Sequence, residues 1–210
     1  MQVTNMNKYI IIIVSIAAVA AGVSFNGRQS APDLSQLSGF SFPEPETLID
    51  VTLVDHNNKP FTEANFKGQW TFLYIGFTFC PDVCPAALTT LNRMHSLLAE
   101  EGGAQPSTVL VSVDPDRDTP ARLKDYVKYF NESFTGVTGT PAEIAKFAEQ
   151  VSSVYVVPDN RDDPNYLVDH SSTIILINPN ASVQAIFTPP QSAPVLAKDF
   201  RLLVADFDSR

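Results

Sequence analysis

From residue 48 onward the apolar positions switch repeatedly between a period of two and a helical period, and each switch marks a change of element. Residues 48–54 read as a strand running into a turn over 55–60, which predicts a short hairpin. Residues 70–77 are aromatic or apolar at almost every position, as in a strand covered on both faces. Residues 108–113, 154–157, 173–177 and 183–187 supply further strands, the last two joined by a turn at Asn178-Pro179-Asn180. Between them lie the helices. Ala87, Leu91, Met94 and Leu98 share one face of a helix starting at about Val83 or Cys84, and Leu123, Tyr126, Val127 and Phe130 come after the helix start Thr119-Pro120. Thr140-Pro141-Ala142-Glu143 is a capping box opening a helix with Ile144, Phe147, Ala148 and Val151, and Leu196, Phe200, Leu203 and Phe207 mark a closing helix.

Residues 9–25 break this rhythm with an almost uninterrupted apolar run preceded by Lys8. About 17 helical residues span roughly 25 Å, a little less than the ~30 Å hydrocarbon core of a bilayer. Two readings compete, an uncleaved transmembrane anchor and a signal segment cleaved after Ala18-Val19-Ala20. Both export the remainder of the chain. Lys8 and the amino terminus favour the cytoplasmic side, with Arg28 opposing. The favoured reading is a single-pass protein of the inner (cytoplasmic) membrane, with residues 1–8 as a cytoplasmic stub and the soluble domain on the periplasmic side. Residues 26–47, rich in Ser, Pro, Gly and Gln, read as a flexible linker, and residues 48–210 as the folded domain.

Charge narrows the partners. Of the 14 basic side chains only Lys8 and Arg28 precede Asp33, so 12 face 23 acidic ones in the remainder. That balance argues against nucleic acid and anionic lipid and for a basic protein partner.

The two cysteines of the chain, Cys80 and Cys84, come directly after the strand at 70–77 and emerge at its carboxyl end, the edge of an α/β sheet where ligands collect. Such a pair either grips a soft metal ion or shuttles between dithiol and disulfide. As a staple it is poorly placed, since a loop of about five residues gains only roughly 2 kcal/mol against about 4.7 for a hundred. Pro85 suits the first turn of the next helix, so Cys84 is placed at a helix amino terminus and its thiol pKa is expected to be depressed. Alternating elements with this pair after a central strand predict an α/β, thioredoxin-like fold, a central sheet flanked by helices.

The three histidines differ in reach. His95 lies eleven residues beyond Cys84 on the same helix, roughly 16 Å along its axis, and cannot share an ion with both sulfurs. His56 sits in a turn. His170 stands in the loop just before the strand at 173–177, which faces the cysteine pair in a thioredoxin-like arrangement. Two thiolates and one imidazole suit Cu(I), or Cu(II) when a further ligand joins.

Four segments in order, Gly76-Phe77-Thr78-Phe79-Cys80-Pro81-Asp82-Val83-Cys84-Pro85, Val113-Asp114-Pro115-Asp116-Arg117-Asp118-Thr119-Pro120, Phe134-Thr135-Gly136-Val137-Thr138-Gly139 and Val168-Asp169-His170-Ser171, resemble the Sco/SenC family. The resemblance implies a membrane-tethered copper metallochaperone that supports assembly of the CuA centre of cytochrome c oxidase. Its ligands would be Cys80, Cys84 and His170, and its partners the CuA-bearing subunit, a copper donor and a thiol reductant. Asp82 and Asp169 flank the ligands and would orient them or add negative field, the alternative being ordinary solvated carboxylates. The segment 114–120 reads as a loop and helix cap rather than chemistry. The rival function is a thiol–disulfide oxidoreductase that uses Cys80 and Cys84 to reduce the CuA-site cysteines, and a redox or copper sensor remains open beside it. Three residues between the cysteines, where such reductases usually have two, and Asp169-His170-Ser171 in place of a proline favour metal.

Overall fold

The structure is a computed structural model that describes residues 32–210. The anchor expected at 9–25 and the stub at 1–8 lie outside the described residues. Along the chain run β1 (Phe40–Ser41), β2 (Leu53–Asp55), β3 (Pro60–Phe61), β4 (Thr71–Gly76), α1 (Val83–Glu100), β5 (Ser107–Ser112), α2 (Pro120–Phe130), β6 (Thr135–Thr138), α3 (Pro141–Gln150), β7 (Tyr155–Val156), β8 (Asp169–His170), β9 (Ile174–Ile177), β10 (Val183–Phe187) and α4 (Ala193–Asp208).

Eight strands form one sheet in the order β1-β10-β9-β4-β5-β6-β2-β3, and β7 pairs with β8 apart from it. β4 lies at the centre, parallel to β5 and antiparallel to β9, with all six residues buried, which is why its sequence is apolar without alternation. The crossover from β4 to β5 is α1. This is the thioredoxin-like arrangement expected, and it puts the β4–α1 turn at the carboxyl edge of the central strand.

Aromatic contacts hold the helices to the sheet. Phe200 of α4 meets Phe72 of β4 at 5.6 Å and Trp70 at 5.9 Å, while Phe147 of α3 stacks on Phe66 at 6.2 Å. The caps read from sequence are present: Thr119 Oγ1 accepts from the Arg122 N–H, and Thr140 and Glu143 form a reciprocal capping box.

Three expectations change. The strand predicted at 48–54 pairs only from Leu53, because Asp50 adopts a left-handed backbone (φ 48°) that breaks the extended run. The flexible linker predicted at 26–47 is already folded from Asp33 on. Asp33 caps a short turn at Leu34–Gln36, Ser38 donates its N–H and hydroxyl to the buried Asp199, Phe40 and Ser41 pair with Ile186 and Ala185, and Thr47 bridges to Ser182. Backbone hydrogen bonds to the edge of β10 carry this pairing, so a polar composition does not prevent it. Finally, His170 lies within β8, paired with Tyr155 of β7, rather than in a loop. Among the described residues no helix is long and apolar enough to cross a membrane.

Candidate metal centre

Beyond Gly76 the chain leaves the sheet, turns with the Cys80 N–H donating to the Phe77 carbonyl at 3.3 Å, and enters α1 at Val83. The first N–H groups of a helix have no partner within it. Here the Asp82 carboxylate, at the capping position, leaves them free, and the Cys84 N–H donates to Cys80 Sγ at 3.4 Å. A sulfur therefore fills the capping role. Gly76 is required by close approach, since a Cβ there would lie 2.7 Å from Cys84 Sγ and 3.1 Å from the Tyr74 ring.

His170 enters from the opposite side. Its Nδ1 donates to the Ser171 carbonyl at 3.1 Å, which leaves the Nε2 lone pair facing Cys84 Sγ at 3.3 Å. Tyr74 and Phe77 meet the ring edge-on, at 5.9 and 5.8 Å. The Ser171 N–H donates to Val154 O, and the hydroxyls of Ser153 and Ser171 are bonded at 2.6 Å, so β7 fixes the segment that carries the imidazole.

One ligand atom from each of Cys80, Cys84 and His170 lies within 4.8 Å of the others, the one metal-competent group among the described residues. Cys80 and His170 line an open cleft with Pro81, Asp82, Val83 and Asp169, and Cys84 lies buried behind them. Two sulfurs and a nitrogen whose tautomer is set by a carbonyl are a donor set that fits a soft or borderline ion.

The two sulfurs are unequal. Hydrogen bonding from the Cys84 thiol, then from the backbone N–H groups of Cys84 and Asp82, holds Cys80 down at about 4 against the cost of burial. Cys84 is pushed up by its bond to Cys80 and by burial. This corrects the expectation that Cys84 would have the depressed pKa. Cys80, ahead of the helix, receives the thiol and the N–H of Cys84, while the Cys84 side chain turns into the core. Cys80 is 8% exposed and Cys84 fully buried.

Asp82 and Asp169 line the cleft but are exposed, and neither carboxylate bonds to Cys80, Cys84 or His170. The orienting role expected of them falls to the Ser171 carbonyl. His56 is a clasp, its Nδ1 accepting from the Gly136 N–H at 2.9 Å. His95 is packed, with Nε2 on Thr108 Oγ1 at 2.9 Å. Burial lowers the pKa of both.

A supporting network went unread in the sequence. Asp118, fully buried, accepts from the Thr78 N–H (2.8 Å), the Thr78 hydroxyl and the Ser112 hydroxyl (2.6 Å). Burial raises its pKa while those donors oppose the rise. Asp114 accepts from Arg117 Nε at 2.6 Å and from the Tyr166 hydroxyl, and the Arg117 guanidinium lies 3.4 Å over the Tyr166 ring and 4.4 Å from that of Phe79. Arg117 also donates to Pro164 O at 3.0 Å. The segment 114–118 thus ties the cysteine loop to the segment that leads into His170. The available signal was a dense run of charge just before a helix cap, but burial of that charge depends on tertiary packing.

The SCO1/SenC family model matches residues 43–205. A protein of Stutzerimonas stutzeri is 30% identical over 190 residues, 90% of this chain and 91% of its own. The mitochondrial SCO2 homolog of Bos taurus is 35% identical over 161 residues, 76% of this chain but 60% of its own length. The crystal structure of Arabidopsis thaliana ScoI with copper bound shares 35% identity at a TM-score of 0.67, over 71% of this chain and 95% of that one. Fold, donor geometry and sequence therefore agree, and the chain belongs to the SCO1/SenC family.

Proposed function

We propose that this chain is a copper carrier, with Cys80, Cys84 and His170 as the ligands, and that it passes copper to the CuA site of a cytochrome c oxidase subunit. The observation that carries the proposal is the convergence of three soft and borderline donors within 4.8 Å, two of them, Cys80 and His170, lining a cleft open to solvent. The copper-bound Arabidopsis relative supports the choice of metal. Copper is cargo here, so the site must both hold and release it. Cys80, ionised at the rim, meets an incoming ion first. Cys84 behind it gives up a proton on binding, and His170 offers a neutral nitrogen. Release reverses this order by exchange onto thiolates and imidazoles of the recipient. The direct test is copper bound per chain, under reducing conditions, for wild type and for Cys80→Ser, Cys84→Ser and His170→Ala. Unchanged stoichiometry and affinity in His170→Ala would remove that residue from the site.

One observation favours a second reading. A depressed rim thiol beside a buried partner is the asymmetry of an attacking and a resolving cysteine, as in a reductase of the CuA-site thiols. A reduction potential for this pair more oxidising than that of the apo-CuA dithiol would exclude it.

The domain would work on the exported side of the membrane, held by an anchor at residues 9–25, with a separate copper donor and a thiol reductant to keep the pair open. Sequencing the mature amino terminus tests the anchor, which a start at Ala21 would refute.

A further inference from the structure

Arg117 is not a ligand of the metal centre, yet it touches the chain on both sides of it. Its guanidinium lies 3.4 Å over the Tyr166 ring, 4.4 Å from the centre of Phe79 and 5.8 Å from that of Phe77. Nε donates to Asp114 and Nη1 to the Pro164 carbonyl, while Nη2 is buried without a hydrogen-bond partner among the described residues. A buried donor left unbonded is costly and uncommon, so an arginine here needs a reason. The ion pair with Asp114 does not supply one, because a lysine ammonium would serve it. What a lysine lacks is a plane and a fork. The plane lies among three aromatic rings, and the fork bonds to two separate segments at once.

Those contacts reach the segments that carry the ligands. Phe77 and Phe79 belong to the turn that leads to Cys80, and the Phe77 ring is also the edge-on neighbour of the His170 imidazole at 5.8 Å. Pro164 and Tyr166 lie in the long connection from β7 to β8, just ahead of His170. β8 is two residues long and pairs with β7 apart from the main sheet. The register of the main sheet therefore does not by itself fix the imidazole against the sulfurs.

We propose that Arg117 is a positioning residue for the copper site: it clamps the approach to His170 against the cysteine turn and so sets where the imidazole meets the two sulfurs. It acts through Phe77 and Phe79 on one side and through Pro164 and Tyr166 on the other.

The proposal deepens the copper-carrier reading and rests on it only in the second of two tests. The first uses metal-free protein. Arg117→Lys keeps a positive charge opposite Asp114 and removes the plane and the fork. The nuclear Overhauser contact between the rings of His170 and Tyr74, edge-on at 5.9 Å, should collapse, while that between His95 and Phe134, 5.3 Å apart, should persist. A His170–Tyr74 contact of undiminished strength overturns the proposal, and so does an equal loss of both contacts, which marks a general loosening of the fold. If Arg117→Lys does not fold, Tyr166→Leu takes the ring from under the guanidinium and is read in the same way. The second test closes a double-mutant cycle by Cu(I) competition against a chromophoric chelator. Arg117→Lys should weaken binding roughly tenfold in the wild-type background and less than about twofold in His170→Ala, because the clamp works through the imidazole that this variant lacks. An equal loss in both backgrounds overturns the proposal. Wild type that takes up no Cu(I) sinks the carrier reading alone, and the ring contacts of the metal-free protein then decide the clamp.

Discussion

Cys80 and Cys84 are four residues apart and differ in almost every property that governs a sulfur. Cys80 sits before the helix, takes an N–H bond from its first turn and faces the cleft; Cys84 sits within that turn and is enclosed by β4, Tyr74 and His170. Proximity to a helix end is therefore not enough. The sulfur that receives the other's thiol and N–H, Cys80, carries the charge, and the buried one keeps its proton.

The most severe way to break the contrast is to remove either sulfur. Cys84→Ser and Cys80→Ser should each abolish stable copper binding, measured by metal content after gel filtration under reducing conditions. Short of that, the contrast predicts selective chemistry. Limiting iodoacetamide should label Cys80 and spare Cys84, as mass spectrometry of the peptides will show. Because Cys80 ionises at about 4, its labelling should be flat between pH 6 and 8, where an ordinary thiol gains roughly tenfold per unit. The same depression has a sign in stability. Between about 4 and the unfolded thiol value near 9, the folded reduced protein has lost a proton that the unfolded chain retains. Its contribution is thus greatest near pH 9 and is lost as pH falls toward 4, which denaturant melts of the reduced protein will track.

Smaller perturbations sharpen the picture. Gly76→Ala presses a methyl group on Cys84 Sγ and should cost about 1–3 kcal/mol in chemical denaturation. Tyr166→Phe deprives the buried Asp114 of one donor, costs about 1–3 kcal/mol, and loosens the segment leading into His170. The smallest effect belongs to Asp82→Asn and Asp169→Asn. Exposed and unbonded to the ligands, they should change copper affinity no more than about twofold in chelator competition.

What was legible in the chain was local. The β4 run, the caps at Thr119 and Thr140 and the helical spacing of Leu91, Met94 and Leu98 each depend on neighbours a few residues away, and the structure contains all of them. His170 could be singled out because a strand order places its segment opposite the cysteines. What escaped was set at long range. Whether Asp114 and Asp118 are solvated or buried depends on Tyr166 and Thr78, and whether residues 33–47 hang free depends on an unpaired edge at β10. The identity of the ionised sulfur depended on the contact between the two thiols and on the burial of Cys84, which no spacing rule records.

The pairing of β1 with β10 and the hold of Ser38 on Asp199 also set how far the copper site can travel. With the domain gripping its own chain from residue 33, the anchor proposed at residues 9–25 would be joined to it by about seven residues, no more than roughly 25 Å of fully extended chain. A carrier so tethered would work close to the lipid surface, within reach only of a recipient whose own site lies at that level.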